Sequence, residues 1–384
     1  MLVNQISGIL IPSMKQAFGE TAITATNLEG LVSEGNKLVA SADSSVLDKL
    51  SYGLLDRIYM LAIGIRKYEA ATNSVIREYE TYGNILEKIY YEPIEAQKNA
   101  TWEVVNGGTD DPFKITLVGT KVKFFGDRNS WEIPFSITNE QIKSAFTSTS
   151  ELATFINGLY MIAENSITAH IEKVCEWTVA NFIGEKIHYD SQGDKKGIHV
   201  IKLVTNYNTL HPTDEVTAEN ALENKNFLRY MSRIIRSYKS KFKKYSTLFN
   251  TEQFKRFTND GDLKMLIISD VQIAMESVLE SDTYHNDMVA LQGFEPIAYW
   301  QGSGEKFDTA DCMKLNITTS SGNVINASGI VGLMFDVDAL GVTVWNKETT
   351  SQYNGHNKVT NYWKKCDIGL YNDLSENALV FQLA

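Results

Sequence analysis

Cysteine is scarce in this 384-residue chain: Cys175, Cys312 and Cys366 are the three, and they lie far apart. That spacing excludes a disulfide framework and a spaced zinc-ligand set, and it fits synthesis in the reducing cytosol. Only six prolines occur, and with 43% hydrophobic and 11% aromatic residues the chain is not of the disordered kind. No apolar run is long enough to span a bilayer, because Asp56, Arg57, Arg66 and Lys67 interrupt or flank Leu54 to Ile65. No basic segment precedes Ile9-Leu10-Ile11, so a secretory signal is not expected. Positive charge is in deficit, 36 Lys and Arg against 47 Asp and Glu, a formal charge of −11. Such a balance disfavours nonspecific nucleic-acid binding by the whole molecule. The expectation is a soluble, membrane-free protein of two or three domains, without low-complexity tracts or a solenoid repeat.

Constellations for catalysis are also missing. No GxSxG elbow or HExxH pair occurs, and the six histidines form no ligand pair at helical or strand spacing. Gly302-Ser303-Gly304-Glu305-Lys306 lacks the GxxxxGK spacing of a phosphate loop. Asp336 and Asp338 could bind a divalent ion, but aspartates after a hydrophobic strand more often cap a turn. Cys175 falls among core positions of a helical pattern, where a thiol is inert. The reading is no enzyme, no cofactor and no metal.

What is present is pattern. Leu152, Phe155, Ile156, Leu159, Ala163, Ile167, Ile171, Val174 and Phe182 recur at helical steps, with Ser148 and Glu151 as a capping box and Gly184 as a stop. This predicts one rod over residues 148–184, with a local bend at Gly158. A second stripe, Val46 to Ile65, predicts an amphipathic helix from Ser44. Residues 1–43 show weak periodicity and are expected as an extended arm or a few short turns. Lys121 to Phe125 and Trp131 to Ile137 alternate around the turn cluster Gly126-Asp127-Arg128-Asn129, which predicts a hairpin within 113–137, either projecting or a sheet edge. Ile198 to Val204, Leu263 to Ile268, Ile330 to Phe335 and Ala378 to Leu383 read as strands, with His199 on a strand surface and a helix over Val271 to Leu279. Leu228, Met231, Ile235, Tyr238, Phe242, Tyr245 and Phe249 form another helical stripe. Its opposite face holds eight cations and no acid between residues 225 and 244. That face is a solvated surface, a partner for acidic groups or a phosphate contact.

The ordered series formed by the 113–137 hairpin, the 148–184 helix, the 198–204 strand and the run Gly329 to Gly341 resembles the major capsid protein of tailed bacteriophages. The likeness is to the Hong-Kong-97-type fold of the small-podovirus, picovirus-like kind. The resemblance implies an α+β chain with an N-terminal arm and helix (1–77), an extended β-hairpin loop (78–147), a peripheral domain with a spine helix (148–207), an axial domain (208–342) and a return to the peripheral domain (343–384). It implies a structural protein that self-assembles as pentamers and hexamers into an icosahedral phage head enclosing double-stranded DNA, held nonspecifically. A separate scaffolding protein and a portal would be partners, with assembly in the host cytoplasm and final location in the virion capsid. Phe124, Phe125, Trp131 and Phe135 are the candidate intersubunit anchors. The alternative is a nucleic-acid-binding protein acting through the basic face, with Arg229, Arg233, Arg236 and Lys243 as its contacts to DNA or an acidic partner.

Overall fold

The computed structural model describes residues 3–19, 23–25, 27–65, 73–77, 86–91, 94, 96, 113, 115, 117–126, 128–192, 196–280, 294–301 and 308–384. Gly302 to Lys306 and the flanking cations Arg66 and Lys67 lie outside the described residues. The chain divides into two compact units, one of residues 1–81, 128–175 and 342–369, the other of 82–127, 176–341 and 370–384.

The first unit is helical with one small sheet. Residues 3–41, expected as an arm or short turns, instead form two full helices, α1 (Val3–Phe18) and α2 (Leu28–Ser41). They share a core with α3 (Ser44–Ile65), α4 (Asn139–Ala145) and the first part of α5 (Thr149–Ser191). Ile6, Leu10, Met14, Leu31, Leu50, Leu54, Phe146 and Ile156 are all buried there. The pattern is faint in the sequence because small residues make the closest approaches. A Cβ on Gly35 would sit 2.6 Å from the Phe146 ring. The sheet runs in the order β10 (Leu340–Asn354), β11 (Val359–Asn372), β3 (Arg128–Thr138). In it β11 and β3 are antiparallel, with Tyr362 opposite Phe135 and Cys366 opposite Trp131.

Helix α5 begins as the sequence predicts, the Ser148 hydroxyl accepting from the Glu151 amide at 3.1 Å. It does not stop at Gly184 but continues to Ser191. Gly184 is a contact position rather than a terminator: a Cβ there would lie 2.9 Å from Thr319 Cγ2 and 3.1 Å from Ile317 Cδ1.

The second unit holds a five-stranded mixed sheet. Its order is β4 (Val200–Lys202), β12 (Ala378–Gln382), β9 (Ile330–Asp336), β5 (Leu263–Ile268), β6 (Phe294–Ile297). Pairs β12/β4 and β5/β6 are parallel and the two between them antiparallel. All seven residues of β9 are buried, which is why it reads as a continuous apolar run. Asp336 ends it by accepting from the Asp338 amide at 3.0 Å and the Thr258 hydroxyl at 2.6 Å, a capped turn as the sequence favoured.

Two readings in this unit are corrected. The strand expected over 198–204 is cut short to β4, and Leu203 opens helix α6 (Leu203–Leu210), which buries Leu203, Val204 and Tyr207. His199 is buried rather than on a strand surface, its ring edge-on to Tyr189 at 4.8 Å. The basic helix, α7 (Lys225–Phe242), is followed by α8 (Ser269–Glu280), α9 (Thr309–Cys312) and the paired strands β7 (Leu315–Thr318) and β8 (Val324–Ala327). Helix α7 ends before Tyr245 and Phe249; the chain turns back and the Phe249 ring stacks on Phe242 at 4.5 Å.

Candidate assembly surface

Among the described residues the hairpin expected within 113–137 does not form. Thr120 to Phe125 is a strand, β2, but its partner is β1 (Leu86–Tyr91), which lies in the 78–147 stretch expected as an extended β-hairpin loop but is not singled out as a strand in the sequence. Across the turn, β3 joins β11 in the other unit. Alternation fixed which residues share a face but not which strand lies alongside, because β11 is more than 220 residues further on and no local signal names it.

The β1–β2 ribbon is antiparallel, with Lys88 opposite Lys123, Ile89 opposite Val122 and Tyr90 opposite Lys121. Residues directly opposite share a face, and faces alternate along each strand. One face therefore carries Lys88, Tyr90, Lys121 and Lys123, and the other Ile89, Tyr91, Val122 and Phe124 together with the exposed Glu87 and Thr120. The cationic face is the one packed on the body of its unit.

Asp373, fully buried, receives that face. Lys88 Nζ donates to Asp373 Oδ2 at 3.2 Å, Lys123 Nζ to Oδ1 at 3.4 Å, and the Tyr90 hydroxyl to the same carboxylate. The Ser375 amide and hydroxyl complete the shell at 3.1 and 2.6 Å. Burial by itself would raise the Asp373 pKa; Lys88, Ser375, Tyr90 and Lys123 outweigh it and hold the carboxyl below its ordinary range. The Tyr90 hydroxyl is pushed up by burial and by Asp373. Around this centre, Lys123 also pairs with Glu252. Lys121 Nζ sits 4.2 Å above the Phe254 ring, and the Arg256 guanidinium 4.3 Å above the Tyr90 ring. Glu376, 3.5 Å from Arg256, is pushed up to about 7 because burial exceeds the pull of that arginine. Lys186 lies beneath, wholly buried, donating to the Phe249 carbonyl at 3.1 Å; burial brings it down to about 7 against the opposing pull of Asp373.

The other face of the ribbon has no cover within the described residues. Ile89 is 50% exposed, Tyr91 67%, Val122 45% and Phe124 66%. Phe113, Ile115 and Leu117, in the connection between the two strands, are exposed as well. Contiguous apolar patches are uncommon on the surfaces of monomeric soluble proteins.

Of the four aromatic candidates, Phe124 alone is exposed. Phe125 rests on Tyr371 with ring centroids 5.6 Å apart. Trp131 lies against His170 at 4.3 Å, and Phe135 packs on the core of the first unit. Phe124 and Phe125 belong to the second unit, Trp131 and Phe135 to the first, so the four do not share one hairpin. Of the basic candidates, Arg229, Arg233 and Arg236 are exposed along α7, while Lys243 pairs with Asp260 at 2.5 Å. Sequence reasoning missed β1 and Asp373. The β-prone run Ile89-Tyr90-Tyr91 was a usable signal, but an apolar face turned to solvent runs against the usual pattern.

A family model described as Phi29-like phage major capsid protein matches residues 10–382. The chain belongs to that family. Its role is structural, as a major capsid protein of a phage head, and the resemblance read from the ordered elements is borne out. The fold agrees. A chain from the capsid structure of Staphylococcus phage Andhra aligns with a TM-score of 0.51 at 10% identity, covering 80% of this chain and 83% of that one. A chain from the structure of the head fiber and inner core protein of native bacteriophage P68 gives 0.52 at 9%, with the same coverage. No curated protein sequence matches. The mixed helix-and-sheet class is that of phage capsid chains, and membership of the capsid family places the protein in the virion shell and implies a non-enzymatic role. No comparison points to nucleic-acid binding as the activity of this capsid chain.

Proposed function

We propose that the chain assembles as pentamers and hexamers into an icosahedral head enclosing double-stranded DNA, and that the apolar face of the β1–β2 ribbon lies across a neighbouring copy. The observation that carries this reading is the inverted ribbon. Lys88 and Lys123 are engaged on its own unit by Asp373, Lys121 sits over Phe254, and Ile89, Tyr91, Val122 and Phe124 face outward. A ribbon fixed in this way presents apolar side chains at little entropic cost on binding, since the strands are already ordered. In this reading Phe124 is an anchor, whereas Phe125, Trp131 and Phe135 serve the subunit's own packing. A separate scaffolding protein and a portal complete the assembly, which takes place in the host cytoplasm.

Electron microscopy of the purified protein tests it. Closed shells or five- and six-membered rings are expected as concentration rises. Persistent monomers, with or without scaffolding protein, would overturn the proposal.

A further inference from the structure

Helix α7 buries most of one face and leaves the other to polar and charged residues. Phe227, Leu228, Met231, Ile235 and Phe242 are buried, and the helix packs on α6 and α8. Its exposed residues are Lys225, Asn226, Arg229, Arg233, Arg236, Ser240 and Lys241, every one of them polar. Arg229, Arg233 and Arg236 follow at steps of four and three, so they line one side of the helix over about 10 Å at 1.5 Å per residue.

Beside them a cavity of about 430 Å³ is walled by Tyr207, His211, Asp214, Asn226 and Tyr230, together with Arg229 and Arg233. The Asp214 carboxylate there is already engaged by the Tyr207 hydroxyl at 2.6 Å, Asn226 at 3.0 Å and Asn224 at 3.1 Å. The Arg233 guanidinium lies 5.6 Å from the Tyr230 ring centroid, within cation–π range.

We propose that this arginine line is the surface that contacts the phosphate backbone of duplex DNA. Two features select that partner over a protein segment. Protein interfaces carry an apolar centre, and the exposed side of α7 has no apolar residue at all. Nucleic-acid interfaces are more polar and strongly cationic, and 10 Å of duplex presents about six phosphates, ample for three arginines. The surrounding molecule is acidic at −11, so attachment is local and loose, which suits a shell whose contents must leave. The inference rests on the shell reading only for the source of the DNA.

The test uses the full-length unassembled protein and a fluorescent 30-base-pair duplex across a salt series. Neutralising three phosphate contacts changes the slope of log affinity against log salt by about 2.7. Going from 50 to 200 mM salt should therefore weaken the unaltered protein about 40-fold more than the triple variant Arg229→Gln, Arg233→Gln, Arg236→Gln. A triple Arg→Lys variant should keep the slope, and Arg236→Gln alone should lower it by about 0.9. Either of these decides the matter if the glutamine triple is poorly folded by circular dichroism. No binding at 50 mM, an unchanged slope in the folded variants, or preference for polyglutamate over duplex would overturn the proposal. Shell formation is scored separately by electron microscopy. Shells with an unchanged slope remove this inference alone, and a changed slope without shells removes the shell reading alone.

Discussion

Asp373 takes hydrogen bonds from Lys88, Lys123, Tyr90 and Ser375 while lying out of reach of water. Asp373→Asn would leave two cations facing a neutral amide in a buried place. Breaking such a group of charges by removing one partner costs about 3 kcal/mol. Chemical denaturation should show that loss, and amide exchange in β1 and β2 should accelerate; unchanged exchange there would mean the ribbon is held by something else. The Asp373 pKa is depressed, so its contribution is present above the unfolded value near 3.9 and is lost as pH falls through the folded value. Lys186 acts in the alkaline range. Its pKa falls from 10.5 unfolded to about 7 folded, so between those values the unfolded chain binds more protons. Its contribution to stability therefore rises with pH from about 7 towards 10. The urea midpoint of the unassembled protein should climb across that window, and Lys186→Met should flatten the climb. A midpoint that falls equally in both proteins would contradict this account.

Two glycines within one helix separate what the sequence could and could not tell. A Cβ added at Gly158 would meet nothing within 4 Å, whereas one added at Gly184 meets Thr319 and Ile317. Gly158→Ala should stabilise the protein by about 1 kcal/mol through helix propensity alone. Gly184→Ala gains the same propensity and loses more to crowding, about 1–3 kcal/mol. Thermal unfolding of the pair should move in opposite directions, and a matching rise in both would show that Thr319 yields freely. The sequence made α3, α5, α7, β5 and β9 legible because each carries its own period or a continuous apolar run. It made Gly184 look like a stop because a glycine's role depends on what approaches it. Strand partnership was illegible for the same reason: Lys121 to Phe125 alternates equally well beside β1 or β3, and only the acceptor at Asp373, some 250 residues away, selects the cationic face for burial.

For the molecule as a whole, the exposed ribbon face allows folding and assembly to be separated. Ile89 and Phe124 lie on the same exposed face of the ribbon and are open to solvent, away from the Asp373 cluster. Surface substitutions away from caps and buried partners usually change stability by no more than about 0.5 kcal/mol. Ile89→Ser with Phe124→Ser should therefore unfold at nearly the same denaturant concentration as the unaltered chain. If the ribbon lies across a neighbouring copy, the same variant loses two buried apolar side chains at every repeat of the contact. At about 1.5–3 kcal/mol for each fully buried side chain, the contact weakens by roughly 3 kcal/mol or more. That is over a hundredfold in each pairwise equilibrium, and it multiplies across a closed shell. Light scattering and electron microscopy should then find subunits or open fragments where the unaltered protein closes. Asp373→Asn gives the complementary case, reducing stability and assembly together because it frees the ribbon from its seat. If the double serine variant closes shells at the same concentration as the unaltered protein, the ribbon's apolar face is not the contact between copies.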